Sequence, residues 1–142
     1  MVNQAPQNPL QGLLGYQLRR ASAAMLADLT ETLADLDLRV TEASVLLQVQ
    51  ANLDITQSEI GRILAIKRAN MAPMTAGLLD RGLIVRSPAD GRSQALRLTL
   101  AGETCCRDVR RLIATHEMRF LPDLAASERD ALIGLLTRIW MS

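Results

Sequence analysis

At Gly82 the hydrophobic period of the chain changes, and that change constrains the fold more than any other feature. Before it, Ile60, Ile63 and Leu64 recur at i, i+3 and i+4 behind the capping box Thr56-Gln-Ser-Glu59, which predicts a short helix over about 57 to 65. A second helical segment, Lys67 to Arg81, carries Met71, Met74, Thr75 and Leu78 and stops at Gly82, the residue expected just past a helix end. After it, Leu83-Ile-Val-Arg86 reads as a β-prone run, Ser87-Pro-Ala-Asp-Gly91 as a dense turn signal and Ala95-Leu-Arg-Leu-Thr99 as an alternating strand. Two short helices joined by a tight turn and followed by a hairpin make a winged helix-turn-helix lobe.

The flanks are helical. Residues 10 to about 36 place Leu14, Leu18, Met25, Leu29 and Leu36 on one stripe, widened by Leu26 and Leu33. Thr41 is the expected N-cap of a second, buried helix carrying Val45, Leu46, Leu47 and Val49, and Asn52 to Ile55 is expected to be a plain connection. From Gly102 onward Val109, Leu112, Ile113, His116 and Phe120 share a face until Leu121-Pro-Asp123 breaks it; Ser127 is then the expected cap of a last helix with Leu132, Leu135, Leu136, Ile139 and Trp140. Hydrophobic residues make up 49% and aromatic ones only 2%, so the interior must be aliphatic, which favours helices. The expected fold is mainly α with a small β-hairpin wing. One domain over 1–142 is anticipated, with the winged lobe at 41–100 and a helical dimerisation region at 10–36 and 102–141. The terminal stripes are too wide for one small lobe to cover and are expected to bury one another across a two-fold axis.

Charge is uneven. Between residues 60 and 100 seven basic side chains (Arg62, Lys67, Arg68, Arg81, Arg86, Arg92, Arg97) face two acidic ones (Asp80, Asp90), while the rest of the chain holds nine basic and thirteen acidic residues. A basic middle between acidic flanks points to a polyanion partner. On the 67–81 segment, Met71, Thr75 and Leu78 are expected to anchor the helix, leaving Arg68, Asn70, Ala72 and Pro73 outward near its start. Arginine suits guanine, asparagine suits adenine, and Lys67 suits phosphate; Ala72 and Pro73 offer apolar contact, as to a thymine methyl. Pro73 is tolerable in or just after a first turn. Arg92 at the hairpin tip, oriented by Asp90, and Arg86 at the end of the first strand suit a narrow minor groove.

Other classes fit poorly. Met1 to Pro9 is polar and unlike a signal peptide, and no apolar run approaches the roughly 18 residues of a membrane span, so a cytoplasmic protein is expected. Adjacent Cys105 and Cys106 do not readily meet disulfide geometry. With one histidine, no nucleophile elbow and no phosphate-cradling glycine loop, neither catalysis nor a cofactor is expected. Cys105, Cys106 and His116 are too few and unsuitably spaced for a metal site.

The stretches Ile60-Gly-Arg-Ile-Leu-Ala-Ile66, Leu78-Leu-Asp-Arg-Gly-Leu-Ile84, Asp90-Gly-Arg92 and Leu98-Thr-Leu-Ala-Gly102 resemble the MarR family in order and spacing. That resemblance implies a homodimer whose two winged lobes bind a near-palindromic operator in duplex DNA, and repression controlled by a small-molecule inducer. It further implies an inducer site between the dimer helices and the lobe, where Tyr16, Arg19, Arg20 and His116 are the available polar groups. Relatives answer to phenolic acids, acyl-coenzyme A thioesters of aromatic acids, or oxidants. Two alternatives stand beside this reading: a winged-helix adaptor without DNA binding, and a redox regulator built on Cys105 or Cys106.

Overall fold

A computed structural model of the chain describes residues 5–87 and 94–142. The first helix, α1 (Leu14–Ala34), begins with the first residue of its hydrophobic stripe, four residues after the expected start at residue 10. Asn8 Oδ1 accepts from the Leu10 N–H at 3.0 Å, and this Asn-Pro turn holds the entering chain out of helical geometry. The helix ends where Asp37 turns left-handed at φ +52° and the Leu38 N–H returns to Leu33 O.

Helix α2 (Val40–Ala51) is capped from Arg39, a correction to Thr41. The Glu42 carboxylate accepts from the Arg39 N–H at 2.9 Å and closes the first turn two residues earlier than a threonine cap would. The last helix, α6 (Ala126–Trp140), repeats the correction: Glu128 accepts from the Ala125 N–H at 2.8 Å, leaving Ser127 inside the first turn. In both, a glutamate at the third helical position supplies the cap from inside the helix.

The connection at 52–55 hides a strand, β1 (Ile55–Thr56), which runs straight into α3 (Gln57–Ile63). Here the expected capping box is present, with Thr56 Oγ1 accepting from the Glu59 N–H at 3.3 Å and Glu59 Oε2 accepting from the Thr56 N–H at 2.8 Å. Then follow α4 (Arg68–Asp80), β2 (Ile84–Ser87), β3 (Ala95–Leu98) and α5 (Leu100–Phe120). Gly82 stands between α4 and β2 at φ +67°, a conformation that costs glycine nothing. The sheet is antiparallel in the order β1-β3-β2, with Ile55 opposite Leu96 and Ile84 opposite Leu98.

The core gathers around α2, whose Ala43, Val45, Leu46 and Val49 are buried together with Ile60, Met71, Leu78, Ile84, Leu96, Cys106 and Val109. From α1 only Leu33 is buried, and α6 buries nothing. Leu14, Leu26, Leu135, Ile139 and Trp140 remain between 47% and 73% exposed, so the apolar faces of the terminal helices lie outside the core of a single chain. Among the described residues no helix is long and apolar enough to cross a membrane.

Candidate nucleic-acid interface

The turn between α3 and α4 is short because two features let the helices approach. A Cβ at Gly61 would meet Met71 Cγ at 3.1 Å and Ile66 O at 3.2 Å, so glycine admits the neighbouring helix. Ala65 takes φ +53°, allowing the Ile66 N–H to reach Gly61 O at 2.8 Å and close α3. An alanine in that conformation carries about 1 kcal/mol of strain, sustained by the packed helices on either side.

Helix α4 stands on a buried spine of Met71, Thr75 and Leu78, each at most 1% exposed. Lys67 and Arg68 at its opening and Asn70, Ala72 and Pro73 in its first two turns are all exposed. The helix runs unbroken through Pro73, its sixth residue, which therefore lies past the first turn. Proline has no N–H to offer Ala69 O, so one carbonyl on the exposed side lacks its usual helical donor.

The seven basic residues of the middle segment divide into groups. Arg97 is spent inside the lobe: its Nε and Nη2 donate to Asp54 Oδ1 and Oδ2 at 2.6 and 2.9 Å and hold that carboxyl below the ordinary range. Arg81, capping the far end of α4, donates from Nη1 to Asp37 O at 2.6 Å and from Nη2 to Leu36 O at 3.0 Å. Lys67 and Arg68 open α4, Arg62 is exposed on α3, and Arg86 is exposed on β2 opposite Leu96. Asp90 and Arg92 lie outside the described residues.

Tyr16, Arg19, Arg20 and His116 are not brought together within one chain. Tyr16 and Arg19 adjoin one another, the guanidinium 5.7 Å from the ring centroid, and Asn8 Nδ2 donates to the tyrosine hydroxyl at 2.9 Å. Arg20 is exposed beside them. His116 is buried and lies 2.6 Å through Nδ1 from Asp28 Oδ2, about 18 Å further along α1 by helical rise. Arg119 donates to the same oxygen and to Thr32 Oγ1, both at 2.7 Å, so His116, Asp28 and Arg119 form one polar knot between α1 and α5. A cleft of about 630 Å³ opens instead where α1 meets the lobe, with Leu26, Thr30, Asp37, Arg39 and Arg81 on its walls. Arg81 and Thr30 carried no distinguishing signal in the sequence; a helix-capping arginine and a helical threonine are ordinary until the fold sets them on one wall.

Burial raises both cysteine thiols, Cys106 up to about 11, which leaves little thiolate near neutral pH. This is the opposite of an activated redox cysteine.

A profile of the MarR family matches residues 36–93. The fold superposes with a TM-score of 0.86 on a transcriptional repressor, CouR, bound to a 23-mer DNA duplex; the two chains are 38% identical, covering 96% of this chain and 98% of that one. A CouR structure bound to p-coumaroyl-CoA matches with a TM-score of 0.82 at 35% identity, covering 96% of this chain and 97% of the other. The regulatory protein ascribed to the hcr operon of Thauera aromatica is 29% identical over 134 residues, 92% of this chain and 81% of that protein.

Proposed function

The chain belongs to the MarR family, and from that premise we propose that it is a dimeric transcriptional repressor that binds duplex DNA and releases it when a small aromatic carboxylate or its acyl-coenzyme A thioester binds. The observation that carries the DNA-binding half is the exposed opening of α4, where Lys67, Arg68 and Asn70 sit on a fully buried spine. A helix so held projects its first turn rigidly, as major-groove reading requires. In this reading Arg68 pairs with a guanine edge and Asn70 with an adenine, Lys67 holds phosphate, Ala72 and Pro73 touch thymine methyls, and Arg86 and Arg92 serve the wing. The related repressor bound to a 23-mer duplex supports the assignment.

The lobe at 41–100 is the reader, and the helices at 10–36 and 102–141 hold the dimer. The apolar faces left open on α1 and α6 support that division. The relative bound to p-coumaroyl-CoA supports an acyl-coenzyme A effector, and the cleft at the end of α1, with Arg81 on its wall, offers a cationic group suited to a phosphorylated carrier.

The test is a binding isotherm on the duplex upstream of its own coding region, over a salt series, with an unrelated duplex as competitor. Selective binding that weakens steeply with salt and is relieved by p-coumaroyl-CoA is the expected result. Equal, weak binding to both duplexes would favour the adaptor reading instead.

A further inference from the structure

Beside the reader helix lies a second cleft of about 590 Å³, whose walls come from two places far apart in sequence. Lys67, Asn70 and Pro73 of the α4 opening form one wall, and Arg39 with Thr41, at the start of α2, forms the other. Arg39 and Lys67 are the charged groups lining it, and both are positive. The Arg39 side chain is 80% exposed and makes no hydrogen bond among the described residues; the acid nearest it among them is Glu42, with Oε1 3.7 Å from Nε. That carboxylate is committed elsewhere, since its Oε2 accepts the Arg39 main-chain N–H at 2.9 Å, and its side chain is only 13% exposed. The guanidinium therefore stands over the cleft as a fork of donors with only a loose local partner.

We infer that Arg39 and Lys67 clasp a phosphate of the operator backbone between them, making the start of α2 a further DNA-contacting element beside the reader helix and the wing. The inference rests on the DNA-binding reading above and extends it to a residue outside the helix-turn-helix. The cleft continues the outward face of α4 through Asn70 and Pro73, so a duplex seated on that face brings its backbone to the cleft mouth. Two cations with no carboxylate lining the cleft among the described residues select an anion, and a planar guanidinium fits phosphate oxygens in a fork. Thr41, exposed on the same wall, adds a hydroxyl donor. Because phosphate contacts carry no base information, Arg39 contributes affinity and register but no sequence preference.

The experiment compares the wild-type protein with Arg39→Gln and Arg39→Lys on the upstream duplex and on an unrelated duplex of equal length, across a salt series. Glutamine keeps the α2 cap, which uses the main-chain N–H of residue 39, so circular dichroism and the melting temperature should not move. Each phosphate contact contributes about 0.9 to the slope of log affinity against log salt, so losing one per subunit flattens the slope of a dimer by about two. Arg39→Gln should show that flattening and weaken binding to both duplexes by the same factor, and Arg39→Lys should restore most of the slope. A steep wild-type slope that Arg39→Gln leaves unchanged overturns the clasp while leaving the repressor reading intact. A loss confined to the upstream duplex also overturns it, by making Arg39 a base reader. Absence of salt-dependent binding in the wild type removes both readings.

Discussion

Gly102 is the most tightly enclosed glycine among the described residues. A Cβ there would collide with the carbonyl oxygen of Leu83 and approach Leu98 Cδ2 at 3.1 Å. The same carbonyl accepts from the Thr99 N–H at 3.1 Å, and Thr99 Oγ1 donates to Gly82 O at 2.6 Å while accepting from the Gly102 N–H at 3.0 Å. Hairpin, cap and fifth helix are thus joined through four residues, and the Leu-Thr-x-x-Gly exit is a packing requirement. Gly102→Ala is expected to destabilise by about 1–3 kcal/mol, because the obstruction is main chain and cannot rotate away. The check is the midpoint of thermal unfolding, which should fall by about 2–4 °C for each kcal/mol lost. Residue-scale reading from sequence succeeded where a side chain acts on its own neighbourhood, as Gly82 and the Thr56–Glu59 box do. It failed to separate Arg81 and Arg97 from the other basic residues. Their partners are Leu36, Asp37 and Asp54, between 43 and 45 positions away, and nothing local marks such pairing.

Between elements, a polar knot of His116, Asp28, Arg119 and Thr32 fastens α1 to α5. Hydrogen bonding from His116, then from Arg119, holds the Asp28 carboxyl below its ordinary value of 3.8. A carboxyl whose value is lowered on folding contributes stability above the unfolded value, and that contribution disappears as pH falls through the lowered folded value. Asp28→Asn should therefore lower the urea midpoint near neutral pH, and the gap from the wild type should narrow below about pH 3.8 and close in stronger acid. A gap that stays constant across that range would mean that Asp28 acts through packing alone. Legibility at this scale followed burial pattern. The reader helix was readable because Met71, Thr75 and Leu78 recur at helical spacing, whereas β1 escaped because two residues cannot express a period. Ile55 and Thr56 are strand because Leu96 and Ala95 lie opposite them. Residue preference marks Thr41 and Ser127 as caps, while the actual caps are drawn from Glu42 and Glu128 one turn inside each helix.

For the whole molecule, the uncovered apolar surface of α6 is the feature to test. Leu135 is 55% exposed, Ile139 47% and Trp140 73% on a helix that buries nothing within its own chain. Leu135→Glu puts a charge on that face, and desolvating an unpaired carboxylate costs more than the interface returns. The expected outcome is a monomer in sedimentation velocity and an operator affinity lowered by about 100-fold or more, because two tethered half-site contacts become one. Retention of a dimer would shift the interface to the α1 face. The tether at Arg81 has a different consequence, for how the sequence is free to drift. Its guanidinium holds the oxygens of Leu36 and Asp37, which are peptide oxygens that every amino acid possesses. Mutational tolerance across the joint is therefore one-sided. Position 37, left-handed at φ +52°, should accept asparagine or glycine with the tether unbroken, while position 81 admits no substitute that forks to two carbonyls.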